Sequence, residues 1–116
     1  MQRAGANVDS KAALKALMDS IPTSQDAVWA YPVKWGQYTA TMGHKFRQWV
    51  DAKVAALLGA PEPSVVDFIM SLIATHKGPA DAVAELEPLL DSDTASFVLK
   101  LYRTVIFETE RAAAGL

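Results

Sequence analysis

Apolar residues recur at every third or fourth position along most of the chain, and no useful stretch alternates with a period of two. This spacing places apolar side chains on one face of a helix, so it predicts an all-α fold. Proline and glycine residues divide the pattern into segments. The predicted helical segments are 11–20, 27–30, 35–58, 64–77, 79–90 and 94–114.

Local signals indicate where these helices begin and end. Pro22 ends the first, because the residue before a proline is pushed out of the helical region. Gly59 offers a left-handed residue after the third segment, and Ser64 with Asp67 forms a capping signature for the fourth. Pro88 is expected to kink the fifth or to convert its end to a looser turn.

The segment from Trp35 to Leu58 has the strongest apolar stripe and is predicted as one long helix. The stripe contains Trp35, Tyr38, Met42, Phe46, Trp49, Val50, Val54 and Leu57. We expect Trp49 to form structural core with Phe46 and Val50, since burying such a side chain is worth roughly 3 kcal/mol or more. The last segment is apolar on more than one face, which is typical of a helix packed by neighbours on two sides.

The composition is that of a single packed domain. The 116 residues are 51% apolar, too apolar for intrinsic disorder, and charge interrupts the apolar runs too often for a membrane span. The chain has no cysteine, which excludes disulfides, thiol catalysis and cysteine-based zinc sites. We therefore expect one domain that has no membrane partner.

Charge is distributed unevenly along the chain. Residues 1–60 hold seven Lys and Arg against four Asp, a net charge of +3. Residues 61–116 hold four Lys and Arg against nine Asp and Glu, a net charge of −5. The overall charge of −2 argues against strong nucleic-acid affinity from the bulk field, so any anion site has to be local.

The positive half contains a candidate site, the basic strip, which comprises Lys34, His44, Lys45, Arg47 and Lys53. On a helix, Lys45 and Lys53 are eight residues apart and almost in register. Such cations contact phosphates and give affinity with little sequence readout, and a strip this short binds weakly and loses affinity with salt. The alternative is a solubilising outer surface that binds nothing.

Candidate catalytic residues are few. No P-loop, nucleophile-elbow or zinc-protease motif occurs. The histidines, His44 and His76, have no carboxylate partners at the helical spacing that a metal site needs. We expect His76 to be partly buried and to bond a helix-end carbonyl. The sequence therefore predicts no enzyme, no cofactor and no metal.

Two stretches, FRQWVDAKVAALLG and PSVVDFIMSLIATH, resemble the signature helices of the PWI domain, which is named for a Pro-Trp-Ile tripeptide. Here the tripeptide reads Gln48-Trp49-Val50. KALMDSIPTSQDAVWAYPVKW and FVLKLYRTVIFETERAAAGL extend the resemblance to a subgroup found at the C terminus of a splicing regulator. It implies a PWI-type four-helix bundle over residues 35–116, preceded by an N-terminal helical extension and connector over 11–34 and a loose start over 1–10.

The resemblance also implies a function. Members of this family are nuclear pre-mRNA processing proteins that bind single- and double-stranded RNA or DNA without strong sequence preference, often with a basic segment next to the domain. Some act as protein-interaction modules. The family's basic cluster maps onto His44, Lys45, Arg47 and Lys53. We expect a monomeric assembly module of a nuclear splicing factor, with weak, salt-sensitive RNA or DNA binding and other splicing-factor proteins as partners.

The alternative function is a protein-docking domain of the spliceosome with little intrinsic nucleic-acid binding. The apolar excess of the last segment, especially Phe97, Leu99 and Phe107, favours this alternative. A large exposed apolar patch there indicates docking, whereas a continuous positive surface around Lys53 indicates nucleic acid.

Overall fold

The computed structural model describes the backbone of residues 2–116 and the side chains of residues 11–116. All regular structure in this part of the chain is helical, which confirms the all-α prediction. The α-helices are α1 (Gln2–Ser20), α2 (Gln25–Ala30), α3 (Ala40–Leu58), α4 (Pro63–Ala74), α5 (Pro79–Leu90) and α6 (Thr94–Ala113). Two 3₁₀ turns, Trp35–Gln37 and Asp91–Asp93, precede α3 and α6. None of the described helices is long and apolar enough to span a bilayer.

The prediction of one continuous helix from Trp35 to Leu58 is wrong, because the chain is interrupted before α3. Tyr38 and Thr39 are extended between the 3₁₀ turn and the helix. The Thr39 hydroxyl accepts a hydrogen bond from the Met42 backbone N–H at 3.2 Å and so caps α3. At the other end Gly59 has a φ of 82°, a left-handed conformation that glycine adopts without steric cost.

Proline residues begin α4 and α5. Pro63 and Pro79 lie in the first helical turn, where the N–H that proline lacks would have no helical partner in any case. The capping role expected for Ser64 and Asp67 is wrong, since Glu62 precedes the helix and no side chain caps it.

Helix α5 continues past Pro88 and ends at Leu90. The looser turn expected near Pro88 comes slightly later, at Asp91–Asp93, where Asp91 has a φ of 51°. The Thr94 hydroxyl then donates to the Asp91 carbonyl at 2.7 Å as α6 begins. Pro88 removes one helical hydrogen bond and crowds the carbonyl of Ala84, but α5 still extends two residues beyond it.

Helix α6 lies at the centre of the fold, as its apolar pattern predicts. It contacts α1, α2, α5 and the 3₁₀ turn at Trp35–Gln37. Its most deeply buried apolar residues are Val98, Leu101, Tyr102, Val105 and Ile106. The Tyr102 hydroxyl donates to the Lys77 backbone carbonyl at 2.6 Å, which satisfies the buried phenol. Burial raises the pKa of Tyr102 to about 12.

Helices α3 and α4 pack on each other and complete the bundle formed by α3 to α6. Helix α3 contributes Phe46, Val50 and Val54 to the core. The core residues of α4 are Val66, Ile69, Leu72 and Ile73. Their spacing of three or four residues is the one that a single buried helical face requires.

Helices α1 and α2 join this core through Ile21 and Val28, which are 5% and 1% exposed, and both helices contact α6. The Arg103 Nε donates to the Pro22 carbonyl at 2.9 Å, so the link between α1 and α2 is tied to α6. The loose start predicted for residues 1–10 lies outside the fully described residues. The division into an extension and a separate bundle stays a prediction.

Thr39 can be tested as the cap that fixes the start of α3. We expect Thr39→Ala to lower the free energy of unfolding by about 1 kcal/mol, because the Met42 N–H loses its acceptor. Thr41→Ala is the matched control, since Thr41 is exposed within α3 and alanine is the better helix former. Urea denaturation followed by circular dichroism measures both changes, and equal losses would contradict the capping role.

Candidate nucleic-acid interface

The structure separates the basic strip into paired and unpaired cations. Lys34 and Arg47 each form an ion pair. His44, Lys45 and Lys53 are exposed on α3 and have no carboxylate within ion-pair distance among residues 11–116. The unpaired positive charge of the strip is therefore concentrated on α3.

Lys34 belongs to a cluster that joins the segment before α3 to α6. Its Nζ lies 3.1 Å from Glu110 Oε1, and the Tyr31 hydroxyl donates to Glu110 Oε2 at 2.5 Å. The hydrogen bond from Tyr31, assisted by Lys34, lowers the pKa of Glu110 against the opposing effect of burial. The same hydrogen bond raises the pKa of Tyr31 to about 12. Lys34 thus has a structural carboxylate partner.

Arg47 joins α3 to α4 at the surface. Its Nη2 lies 2.5 Å from Asp67 Oδ1, and both side chains are exposed. An exposed pair of this kind contributes little to stability, but it neutralises the guanidinium. Asp67 therefore competes with any phosphate for this cation.

Trp49 lies between the core and the surface. The sequence groups it with Phe46 and Val50, which are 2% and 0% exposed, but the indole itself is only partly buried. It packs on Phe97 with ring centroids 5.9 Å apart and an interplanar angle of 26°. Lys53 Nζ lies 5.7 Å from the indole centroid, within cation–π distance.

A groove runs between α3 and α6 and consists of three adjoining recesses with shared lining residues. Lys45 lines the same recess as Glu108 and Arg111, whereas Lys53 lines the same recess as Lys100. Helices α3 and α6 therefore run antiparallel along the groove. The largest recess has a volume of about 450 Å³, and we call it the Trp49 recess. Its apolar lining residues are Met18, Ile21, Trp49 and Phe107.

Three cations line the Trp49 recess: Lys53 from α3, and Lys100 and Arg103 from α6. Thr104 is the remaining lining residue, so no carboxylate contributes to the recess among the described side chains. None of the three cations lies within ion-pair distance of a described acid. A local positive site therefore exists on a chain whose net charge is −2.

Sequence reasoning missed Lys100 and Arg103. They lie about fifty residues from Lys53 in the chain, and only the antiparallel packing of α3 on α6 brings them to the same recess. A partial signal exists, because Lys100, Arg103 and Phe107 recur at the spacing of one helical face. That signal does not reveal which face of α3 lies opposite.

The groove continues beyond the Trp49 recess. Lys45, Glu108 and Arg111 line a second recess of about 250 Å³. Arg111 Nη1 lies 3.3 Å from Glu108 Oε1, whereas Arg111 Nε is buried without a hydrogen-bond partner. Positive side chains thus continue along the groove, but here a carboxylate accompanies them.

The expected role of His76 is wrong. The residue is exposed, has a φ of 59°, and stacks on Trp35 with ring centroids 4.6 Å apart and an angle of 11°. Tyr38 in turn stacks on Phe46. Trp35 and Tyr38 therefore pack the segment before α3 onto the bundle. In the described part of the chain, no three His, Asp or Glu side chains cluster as a metal site requires.

The apolar patch expected on the last helix is not exposed. Phe97 is 3% exposed, and Leu99 and Phe107 are partly buried against the core. Phe107 instead forms one side of the Trp49 recess. The open apolar surface at this place is therefore a recess with a positive rim and not a flat patch.

Comparison with known proteins gives a family match and several relatives. The family model described as PWI domain matches residues 44–113. RNA-binding protein 25 of Mus musculus and of Homo sapiens is 31% identical over 104 residues, which is 89% of this chain and 12% of the relative. RNA-binding motif protein 25 of Arabidopsis thaliana is 34% identical over 103 residues, 88% of this chain and 12% of the relative.

A fourth relative is the U1 snRNP-associated protein usp107 of Schizosaccharomyces pombe, 32% identical over 91 residues, 78% of this chain and 13% of the relative. The chain thus spans 12 to 13% of the length of the curated relatives that it matches. A match of 104 residues is longer than the stretch from residue 44 to the end. The similarity therefore includes part of the helical region that precedes the family match.

The Glu110 cluster can be tested by removing its charge. We expect Glu110→Gln to lower the free energy of unfolding at neutral pH by about 1 kcal/mol, because hydrogen bonds to a charged group are the stronger ones. The folded-state pKa of Glu110 lies below its ordinary value of 4.5. Its contribution is therefore present above that value and is lost as the pH falls through the folded pKa.

Urea denaturation between pH 3 and 7 measures this effect, and the difference between the two proteins should shrink towards acid. Glu85→Gln is the matched control, because Glu85 is exposed and has no ion pair among the described residues. A stability difference for Glu110→Gln that does not depend on pH would contradict the charged cluster.

Proposed function

The chain belongs to the PWI domain family, and from this premise we propose that it is a nucleic-acid-binding and assembly module of a nuclear pre-mRNA splicing factor. The relatives are named as RNA-binding and U1 snRNP-associated proteins, which supports the assignment. The chain corresponds to a small part of each relative, so the proposal concerns this domain alone. In this proposal the role of the domain is to bind.

The single observation that carries the proposal is the convergence of Lys53, Lys100 and Arg103 on the Trp49 recess. Like charges repel one another, so three adjacent cations without a carboxylate partner favour an anion in solution. Lys45 extends the positive surface along α3 towards the second recess. Phosphate groups of RNA or DNA are anions that can bind at several of these positions at once.

The mechanism is electrostatic. Helix-borne lysines contact phosphates and place the strand, while they read little of the base sequence. Lys45 and Lys53 carry the α3 part of the predicted strip, whereas His44 lines none of the three recesses. Lys34 and Arg47 contribute only where a phosphate replaces Glu110 or Asp67, because those carboxylates already bind them.

Protein docking is the second candidate function, and one observation favours it. Met18 is 60% exposed and borders the Trp49 recess, so an apolar side chain of a partner has a contact there. A docked protein has to match the positive rim as well, which restricts this candidate to an acidic partner. A nucleic acid meets this requirement whatever its sequence, because each phosphate carries a negative charge.

Removing single cations tests the electrostatic mechanism. We expect Lys53→Gln and Lys100→Gln each to weaken binding of a short RNA several-fold and to reduce the slope of log affinity against log salt by about 0.7 for a single strand. Each change removes one charge from the recess. Fluorescence anisotropy over a series of salt concentrations gives both quantities.

Lys77→Gln is the matched control, because it removes the same charge from an exposed position outside the groove. Its binding and salt slope should match those of the unaltered protein. If Lys77→Gln weakens binding as much as Lys53→Gln does, the Trp49 recess is not the site. If no RNA binds at low salt, nucleic-acid binding is not the function of this domain.

A further inference from the structure

We propose that the Trp49 recess holds one unstacked base of a single-stranded nucleic acid, with the flanking phosphates bound by Lys53 and Lys100. The module then prefers single strands to duplexes. This inference rests on the proposed function, because it names the class of nucleic acid and the contact that selects it. It adds a role for Trp49 that charge alone does not supply.

The Trp49 recess has a mixed chemistry. Met18, Trp49 and Phe107 offer apolar surface, and the cations lie next to them. A ligand that satisfies both needs an apolar part and an anionic part within a few ångströms of each other. A nucleotide has a flat base joined to a phosphate, so it fits this description.

The size of the recess suits a single base. The recess of about 450 Å³ falls in the range of pockets that hold small ligands. A duplex presents phosphates on its outside and keeps its bases stacked within, so it reaches the cations without entering the recess. An unpaired base is free to enter.

The position of the Trp49 indole favours contact with a base. Trp49 is supported from inside by Phe97, which is 3% exposed, so the ring is held while part of it remains at the surface. The Lys53 ammonium now lies 5.7 Å from the indole centroid. Because the Lys53 side chain is flexible, a bound phosphate draws its ammonium away from the indole. The base then packs on the ring face that the ammonium had covered.

Arg103 adds a planar cation to the recess. Its Nε is bound to the Pro22 carbonyl, which holds the guanidinium at the edge of the recess. A fixed, planar cation beside an aromatic ring is the arrangement that stacks on bases and contacts phosphates in single-strand binding sites. An acidic peptide without aromatic residues uses only the charge of this group.

Electrostatics alone predicts the opposite preference. Duplex DNA has the higher charge density, and the release of counterions per phosphate contact is greater for a duplex than for a single strand. A surface that binds only through lysines and arginines should therefore favour the duplex at low salt. A preference for the single strand has to come from a contact with the bases.

The experiment compares a short single-stranded RNA, its duplex, and an abasic strand with the same number of phosphates, by anisotropy at fixed salt. We expect the single strand to bind most tightly. Trp49→Leu should weaken binding of the single strand roughly tenfold, to the level of the abasic strand, and leave duplex binding unchanged. Trp49→Phe should retain most of the affinity, and Trp29→Phe, a change outside the recess, should retain all of it.

A second measurement applies if Trp49→Leu does not fold. In a Trp29→Phe/Trp35→Phe protein, Trp49 is the remaining indole, since the chain has three tryptophans. Its fluorescence should be quenched by the single strand and much less by the duplex or the abasic strand. Equal quenching by all three would overturn the inference.

The remaining outcomes separate the two proposals. If single strand and duplex bind with a clear salt slope but Trp49→Leu changes neither, base insertion is wrong and the electrostatic function stands. If no nucleic acid binds, both proposals fail. If a Glu-rich amphipathic peptide binds in a Trp49-dependent way and RNA does not, the recess is a protein-docking site and the inference is overturned.

Discussion

The burial of α6 on opposite sides is the constraint on which the rest of the structure depends. Val98, Leu101, Tyr102, Val105 and Ile106 are shielded from water only if other helices cover α6 around most of its circumference. Helices α1, α2 and α5 supply part of that cover, and the Trp35–Gln37 turn supplies more. The helices before the bundle are therefore part of the same hydrophobic core, which agrees with a similarity to relatives that continues upstream of residue 44.

The same packing produces the candidate site. Trp49 of α3 packs on Phe97 of α6, and the large indole remains partly at the surface. The antiparallel arrangement then places the cations of α3 opposite those of α6, and the aromatic residues Trp49 and Phe107 line the recess beside them. The candidate surface thus arises from the way in which a core helix is covered.

The helical class and the central position of α6 follow from the spacing of apolar residues, and so does the burial of Phe46 and Val50. The interruption before α3 does not follow from this spacing. The apolar stripe continues through Tyr38, whereas the helix begins only after the Thr39 cap. The spacing of apolar residues also does not predict ion pairs between distant parts of the chain, such as that of Glu110 with Lys34. Periodicity gives the apolar face of each helix relative to its own axis, but it does not give the rotation of one helix against another. Lys100 and Arg103 were therefore beyond sequence reasoning.

The central claim is that the surface between α3 and α6, and not the opposite side of α3, is where a ligand binds. The most direct test is a titration of the ¹⁵N-labelled protein with single-stranded RNA, followed through the amide signals and the three indole N–H signals. We expect the signals of the Trp49 indole and of the amides near Lys53 and Lys100 to shift, while the Trp29 and Trp35 indole signals stay unchanged. Shifts centred on the Arg47–Asp67 pair, with the Trp49 indole unchanged, would contradict it.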